Sequence, residues 1–321
     1  MADVLQGLSD DLAAAVETAG QSIVRIEGRR RQSASGIVWS ADGLIVTAHH
    51  VIERDESIQI GLPNGETTTA TLVGRDPTTD LAVLRAETSG LTAAKWLEIG
   101  SVKVGHLVLA LGRPEADVQA TLGVISALDK EWRTHAGGRI DSYVQTDVVM
   151  YPGFSGGPLV SVGGALIGMN SSGLARGVSL TLPAATIKRV AETLATHGRI
   201  KRGFLGVSAQ PVRLPENIAT SAEQETGLML VAVEPGSPAD AGGLVLGDVI
   251  ITLDGQAVRH MDDLMAALSG DRVGMAVPVR VLRGGQVQES SVTIGERESQ
   301  PQGERGEHGE HERRRRHGRW G

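Results

Sequence analysis

One serine of this chain, Ser155, lies in a glycine-rich segment that could make its hydroxyl a nucleophile. The segment reads GFSGGP from Gly153 to Pro158. A serine hydroxyl attacks a carbonyl carbon only when a base takes its proton and hydrogen-bond donors stabilise the resulting oxyanion. Gly153 allows a backbone conformation that side chains disfavour, so the amides of Gly153 and Ser155 could form an oxyanion hole. For this segment alone, a glycine-rich hairpin turn that contains a serine is the alternative.

A base and a carboxylate to orient it are found upstream. His50 ends the apolar segment LIVTAHH, and Asp80 opens the apolar segment DLAVL. Taken singly, His50 is also explained as a surface histidine and Asp80 as a cap at the start of a strand. The order His, Asp, Ser along the chain is that of chymotrypsin-type proteases and not that of subtilisin or the α/β-hydrolases. Period-2 alternation sends the competing His49 to the opposite face, and Asp76, in RDP, is typical of a turn.

Short apolar strands separated by turn signals dominate the part of the chain that carries these residues. They run from SIVRIEG to GVSLTLP with little helix between them. This pattern predicts mainly β structure, either a barrel or a sandwich. Ser9, followed by two acids, predicts an N-cap and a short helix to about Ala19. PAATIKRVAETLATHG predicts a closing helix with Gly198 as its C-cap.

The composition narrows the classes of function. The chain has 321 residues, 42 of them glycine, with 4 Trp, 2 Tyr, 2 Phe and no cysteine. The core should therefore be aliphatic, and disulfides, a thiol nucleophile and cysteine-based zinc sites are excluded. The net charge of −7 argues against nucleic-acid binding by the folded part. We predict neither a cofactor nor a metal.

Two features of the sequence concern the compartment. No run approaches the roughly 18 apolar residues of a membrane span. The first residues, MADVLQGLSDDLAAAVETAG, have acids where a signal peptide carries basic residues, and they lack an apolar stretch. As written, the chain is expected in the cytoplasm. If it is a processed form, a periplasmic or other extracytoplasmic location is expected.

Three linked motifs, TAHHVI, DPTTDLAVLR and QTDVVMYPGFSGGPLV, resemble those of the HtrA/Deg serine proteases. LALGRPEADVQATLGVISAL is similar to the family's segment between Asp80 and Ser155, and the resemblance runs from about Ser22 to about Gly295. It implies a chymotrypsin-like double β-barrel followed by a PDZ domain. It assigns His50 as general base, Asp80 as its orienter and Ser155 as the nucleophile of an acyl-enzyme mechanism. The implied activity is ATP-independent endoproteolysis of misfolded or unstructured proteins, in quality control and the stress response.

The chain departs from the family pattern beside the nucleophile. Phe154 stands where the family usually has asparagine, and Tyr151 precedes Pro152. The oxyanion amides do not depend on these side chains, but Phe154 could alter how the loop switches between ordered and collapsed states. The resemblance implies a homo-oligomer, a trimer. The N-terminal aromatic residues that often hold such a trimer together in the family are missing here, which counts against it.

The side chain six positions before the nucleophile usually lies at the base of the primary specificity pocket in this fold. Here it is Val149, followed by Met150. An apolar floor cannot pair with Arg or Lys, so we expect cleavage after small aliphatic residues. A buried strand residue without contact to substrate is the alternative.

The second half of the chain resembles the PDZ domain that follows the protease in that family. RGFLGV, VEPGSPADAGGLVLGDVI and DGQAV carry the resemblance. A loop of backbone N–H groups would capture a C-terminal carboxylate, and the peptide would add as a strand to the sheet. Leu264 and Leu268 are candidates for its apolar groove, or they are ordinary core. The residues of the carboxylate loop would be Phe204, Leu205, Gly206 and Val207.

The expected boundaries are an N-terminal helix at 1–19, a trypsin-like serine protease domain at 20–200, a PDZ domain at 203–295 and a charged tail at 296–321. The tail has no apolar periodicity and is predicted to be disordered. Metal binding by His308, His311 and His317, or an anionic partner for the arginines at 313–316, are alternatives. Interleaved glutamates favour a solvated tail over both.

Three functions follow from these patterns. The first is a protease whose PDZ domain binds exposed hydrophobic C-termini of its substrates. The second is a peptide-binding chaperone or adaptor that keeps the fold but has lost activity, an alternative that Phe154 motivates. The third is a regulatory scaffold whose partner binds the PDZ groove alone. Labelling of Ser155 by a fluorophosphonate probe separates the first from the second.

Overall fold

The computed structural model describes residues 2–30, 32–175, 177–268 and 272–297. It divides the chain into two compact units, Met1–Ile200 and Lys201–Gly321. The predictions for the tail lie outside the described residues, except at Glu296 and Arg297. Across the described ranges, no helix has the length and apolar character needed to cross a lipid bilayer.

Two closed six-stranded antiparallel barrels form the first unit. The first contains β1 (Ile23–Glu27), β2 (Ala34–Val38), β3 (Leu44–Ala48), β4 (Ile58–Gly61), β5 (Thr67–Asp76) and β6 (Leu81–Ala86), with neighbours in the order β1-β2-β3-β6-β5-β4. After β7 (Leu107–Gly112) and β8 (Gln119–Asp129) comes a small hairpin of β9 (Trp132–Arg133) and β10 (Arg139–Ile140). Four further strands follow: β11 (Tyr143–Thr146), β12 (Pro158–Ser161), β13 (Leu166–Ser171) and β14 (Ser179–Pro183). Together with β7 and β8 they form the second barrel, with neighbouring strands in the order β11-β14-β13-β12-β7-β8. The predicted mainly β, double-barrel fold is confirmed.

Aliphatic side chains fill both barrels, as the scarcity of aromatics predicts. Ile23, Ile45 and Ile60 are fully buried in the first barrel, while Val108 and Ile125 are fully buried in the second. Their strands place alternate side chains inside, so short Val/Ile/Leu runs suffice to build each core.

Two helices flank the barrels. α1 (Ala2–Gly20) begins well before Ser9, so the prediction that Ser9 is an N-cap is wrong. Good helix formers such as Ala, Leu and Gln precede Ser9 and extend the helix. The C-terminal part of α1 packs against β7 and β12 through Ala15 and Ala19. α2 (Ala184–His197) ends at Gly198, which confirms the predicted C-cap.

The second unit is a sheet with short helices. Its strands are β15 (Gly203–Phe204), β16 (Val207–Arg213), β17 (Thr226–Val233), β18 (Val249–Leu253), β19 (Gln256–Ala257), β20 (Ala276–Arg283), β21 (Gln286–Thr293) and β22 (Gly295–Glu296). Its helices are α3 (Glu216–Ala222), α4 (Pro238–Ala241) and α5 (Met261–Ala267). The sheet order β16-β17-β18-β20-β21 leaves β16 as an edge strand.

Candidate active site

Neighbouring strands of the first barrel bring His50 and Asp80 together. His50 lies in a short 3-10 helix directly after β3, and Asp80 directly precedes β6, which pairs with β3. The Nδ1 atom of His50 is 2.8 Å from Oδ2 of Asp80, and the His50 amide donates to Oδ1 at 3.0 Å. A carboxylate held on Nδ1 leaves Nε2 facing outward, which is the arrangement that a general base requires.

The carboxyl group of Asp80 is buried but remains charged. Burial acts to raise its pKa, yet hydrogen bonds from His50 and Ser171 and the charge of His50 outweigh burial, so the pKa lies below its usual value. Ser171 Oγ donates to the same oxygen that contacts His50. Asp80 is therefore a fixed negative group that can stabilise an imidazolium on His50.

Ser155 joins this pair through a second serine. Its Oγ lies 2.9 Å from the Oγ of Ser172, and that atom lies 3.5 Å from Nε2 of His50. The structure thus gathers the predicted triad into one cluster, with Ser172 between nucleophile and base. Sequence reasoning missed Ser171 and Ser172. The only signal for them was a pair of hydroxyls at the end of β13.

The backbone around Ser155 has the shape expected of an oxyanion hole. Gly153 has a φ of +94°, a conformation that glycine adopts readily. The neighbouring amides are occupied, since Phe154 N donates to Tyr151 O and Gly156 N donates to Asn170 O. Among the described residues, the amides of Gly153 and Ser155 have no acceptor. These two donors are therefore free to bind a developing oxyanion.

The departure at Phe154 is accommodated in the core. Its side chain is fully buried in the second barrel, and its ring packs edge-on against Tyr151 with centroids 5.8 Å apart. Phe154 therefore anchors the loop to the core of the second barrel.

Two residues of the same types as the proposed base and its orienter, His49 and Asp76, lie in different surroundings. His49 is buried whereas His50 is partly exposed, as predicted, but the 3-10 turn and not strand alternation separates them. Asp76 accepts hydrogen bonds from Thr78 and Thr79, which forms the predicted turn.

The segment predicted to supply specificity lies next to the nucleophile loop. Val149 is 55% exposed and its carbonyl accepts a hydrogen bond from Thr121 Oγ1. Met150 is half-buried against the core of the second barrel. Their role in a specificity pocket stays a prediction.

The second unit carries the features of a carboxylate-binding loop. Gly206 has a φ of +76° between β15 and β16. The carbonyls of Leu205 and Gly206 accept from Ala239 N and Glu234 N, at 2.9 and 2.8 Å. In the described part of the chain, the amides of Leu205 and Gly206 have no acceptor. Two free donors beside an edge strand can bind a peptide carboxylate.

The other predicted members of the peptide site belong to the surrounding elements. Phe204 ends β15 and Val207 begins β16, so both flank the loop. Leu264 and Leu268 are buried in the core of the unit, which agrees with the alternative that they are ordinary core. Their contribution to a groove stays a prediction.

Comparison with known families matches both units. The profile of the trypsin-like peptidase domain matches residues 34–169, and that of the PDZ domain matches residues 203–294. A probable periplasmic serine endoprotease, DegP-like, from Marinomonas sp. (strain MWYL1) is 34% identical over 288 residues, which cover 88% of this chain and 61% of the relative. The protein of the same name from Halomonas elongata is 36% identical over 273 residues, or 83% of this chain and 57% of the relative. This chain therefore spans about 60% of the length of these curated relatives.

Solved structures match over nearly their whole length. The serine endoprotease from Yersinia pestis is 30% identical with a TM-score of 0.74, covering 89% of this chain and 98% of that one. The HtrA-type protease AlgW, solved with a tripeptide, is 32% identical with a TM-score of 0.73, covering 91% and 99%.

Proposed function

This chain belongs to the HtrA-type serine proteases, and from that premise we propose that it is a DegP-like, ATP-independent serine endopeptidase. The observation that carries the proposal is the 2.8 Å contact of His50 Nδ1 with Asp80, in the same cluster as the Ser155 hydroxyl. The resemblance of the motifs at these three positions supports the same reading.

The proposed reaction proceeds through an acyl-enzyme. Nε2 of His50 takes the proton of Ser155 as the hydroxyl attacks the scissile carbonyl, and Asp80 stabilises the imidazolium. The amides of Gly153 and Ser155 bind the oxyanion. His50 then gives its proton to the leaving amine, and a water molecule, activated by His50 in turn, hydrolyses the ester on Ser155.

The proposal is tested by replacing the nucleophile. Ser155→Ala should abolish casein hydrolysis and labelling by a fluorophosphonate probe. Ser101→Ala is the matched control, because it removes an exposed hydroxyl that only contacts the carbonyl of Glu98. Casein hydrolysis by Ser155→Ala at the rate of the Ser101→Ala control would show that Ser155 is not the nucleophile.

We further propose that substrates are misfolded or unstructured proteins and that the second unit binds C-terminal peptides. The free amides of Leu205 and Gly206 support carboxylate binding. The HtrA-type protease AlgW was solved with a tripeptide and with a decapeptide. A labelled peptide ending in Val should bind the full chain, whereas the same peptide with an amidated end should bind at least about tenfold more weakly, because a charged hydrogen bond is lost.

We also propose an oligomeric state and a cellular compartment for this chain. A homo-trimer follows from the family resemblance and is tested by sedimentation of the full chain. The relatives named above are called periplasmic, so we propose an extracytoplasmic location. The expectation that the chain is cytoplasmic finds no support in these names.

The proposed domain boundaries, at 1–19, 20–200, 203–295 and 296–321, are tested by limited proteolysis.

The alternative of a proteolytically inactive adaptor no longer has a structural reason. It rested on Phe154, whose side chain is buried in the core of the second barrel, while the amides of Gly153 and Ser155 have no acceptor among the described residues. The curated relatives reported above are named serine endoproteases.

A further inference from the structure

A charged cleft of ≈ 850 Å³ opens on the first barrel beside the catalytic cluster. Its walls come from two segments, the connection between β1 and β2 and the chain that follows His50. Neither segment takes part in the proposed chemistry. The residues that matter here are Glu27, Arg29, Arg30, Ser33, Glu53 and Arg54.

Short contacts tie the cleft to the backbone around Ser155. A Cβ placed on Gly153 would lie 3.1 Å from the carbonyl oxygen of Ser33, which lines the cleft. Two residues later, Ser35 N donates to the carbonyl of Ser155 at 3.2 Å. Glu53 N donates to Gly28 O at 2.9 Å and joins the two walls of the cleft. One wall of the cleft therefore lies against the loop that carries Ser155.

The described residues that line the cleft carry a net positive charge. Three arginines face two glutamates among them, and one of these glutamates, Glu27, is already paired with Arg25 at 3.0 Å. Arg29 and Arg54 donate to the carbonyls of Gln32 and Glu27, and within the described residues neither they nor Arg30 pairs with a carboxylate. Arginines that lack a carboxylate partner beside a peptide-binding groove can receive one from a ligand.

We propose that this cleft binds acidic side chains of the polypeptide substrate on the leaving-group side of the scissile bond, with Arg29 and Arg30 as the specificity-determining residues. The inference rests on the proposed endopeptidase function and adds a preference to it.

The side of the scissile bond follows from the two barrels. Val149 and Met150, which are proposed to form the pocket for the residue before the scissile bond, lie between β11 and β12 of the second barrel. The cleft belongs to the first barrel and shares no residue with them. A substrate that crosses Ser155 from one barrel to the other therefore brings its leaving-group segment to Arg29 and Arg30.

The test uses internally quenched peptides with Val before the scissile bond. The second and third residues after that bond are Glu-Glu, Gln-Gln or Lys-Lys, and a fourth peptide carries the Glu pair before the bond. In the wild type we expect kcat/KM for the Glu-Glu peptide to exceed that for Gln-Gln by about fivefold, as two partly exposed ion pairs allow. Raising the salt from about 0.02 M to about 0.5 M should shrink this ratio, because the charges are screened.

Matched variants test whether Arg29 and Arg30 cause the preference for the Glu-Glu peptide. Arg29→Gln/Arg30→Gln should bring the ratio of Glu-Glu to Gln-Gln close to one. Lys130→Gln/Lys188→Gln removes the same total charge at exposed positions outside the cleft and should keep the ratio. Glu53→Gln should raise it, because one repelling carboxylate is gone. Cleavage of the Gln-Gln peptide should be alike in all four proteins.

Each failure has a separate meaning. Equal rates for Glu-Glu and Gln-Gln in the wild type, a ratio that survives in the double arginine variant, or a preference only for the Glu pair before the bond would overturn the inference while Ser155-dependent cleavage stands. If no peptide is cleaved in a Ser155-dependent manner, the proposed function fails instead. In that case, fluorescence anisotropy measures the binding of the labelled Glu-Glu and Gln-Gln peptides to Ser155→Ala. Equal affinities for the two peptides would overturn the inference that the cleft binds acidic side chains.

Discussion

His50 Nδ1 lies 2.8 Å from Asp80 Oδ2, although β4 and β5 separate the two residues in the chain. The pairing of β3 with β6 closes this distance, since Ala48 lies opposite Leu81 in that ladder. The reactive geometry is therefore a property of the first barrel as a whole. A change that loosens this pair of strands should act on catalysis even when it leaves every catalytic side chain in place.

Asp80→Asn tests the orienting role of the carboxylate. The amide can still hydrogen-bond to His50, but it cannot stabilise the imidazolium and favours the wrong tautomer. We expect kcat for peptide cleavage to fall by about 10⁴, the size seen for the same substitution in the chymotrypsin-type template. Thermal unfolding serves as the control for folding. A loss in kcat of less than about tenfold would remove Asp80 from the mechanism.

Ser172→Ala tests the hydroxyl that stands between nucleophile and base. In the structure this hydroxyl contacts both Ser155 Oγ and His50 Nε2. Without it, the two groups lose a competing partner and can bond to each other directly. We expect the rate of fluorophosphonate labelling to rise by up to about fivefold, the equivalent of one neutral hydrogen bond. A fall of more than about tenfold would instead make Ser172 a required relay, contrary to this interpretation.

The features that could be predicted from the sequence are those set by residues close together in the chain. The turn at Asp76 and the C-cap at Gly198 each depend on a few neighbours. Ser171 and Ser172 were missed because their partners, Asp80 and Ser155, are brought to them only by the barrels. No local pattern encodes such a contact.

The errors have physical causes of the same kind. Ser9 with its two acids looked like a helix start, although good helix formers precede it and extend α1 back to Ala2. The separation of His49 from His50 was expected for the wrong reason, because a 3-10 turn interrupts the strand alternation there. Phe154 could not be judged from its neighbours at all, since only the second barrel shows that its ring has a core to enter.

Phe154→Ala tests whether the buried ring supports the oxyanion loop. Removing a fully buried aromatic side chain should lower the free energy of unfolding by about 3–5 kcal/mol. Because Phe154 is flanked by Gly153 and Ser155, whose amides are proposed to form the oxyanion hole, kcat should fall as well. Phe154→Leu is the matched control, since it keeps an apolar core residue and should lose about half as much stability. Equal unfolding free energies for wild type and Phe154→Ala would contradict the packing described here.

His49 should make the first unit sensitive to mild acid. Burial, and then the charge of Arg75, hold the pKa of His49 below its usual value, against the opposite pull of Asp80 and Asp76. In the unfolded chain His49 takes up a proton near its ordinary pKa of about 6.5, whereas the folded protein resists protonation there. The unfolded state therefore binds more protons, and stability falls as the pH drops below about 6.5.

The measurement for His49 compares two proteins over one pH range. The melting temperature of the wild type should fall more steeply between about pH 7 and about pH 5.5 than that of His49→Asn, which cannot titrate there. Equal slopes would mean that burial of His49 has no energetic consequence.

Arg283→Gln tests the ion pair that supports the second unit. Asp248 is 1% exposed, and both its oxygens accept from Arg283 at 2.6 Å while Oδ2 also accepts from the amide of Val245. Burial acts to raise the pKa of Asp248, but the bonds from Arg283 and Val245 outweigh it and lower the pKa. Removing Arg283 leaves a buried carboxylate half satisfied, which should lower the free energy of unfolding.

The pH dependence of stability should also differ between the wild type and Arg283→Gln. Because the folded pKa of Asp248 is depressed, the stabilisation is present above the unfolded value of about 3.9 and is lost as the pH falls through the folded pKa. In Arg283→Gln the folded pKa of Asp248 rises toward the unfolded value, so the loss of stability that Asp248 causes in acid should be smaller than in the wild type. Arg280→Gln, exposed on the same strand, is the control that removes the same charge. Hydrogen exchange of β18 and β20 in the full chain reports the change, and faster exchange in both variants alike would show that general charge, and not the pair with Asp248, stabilises the sheet.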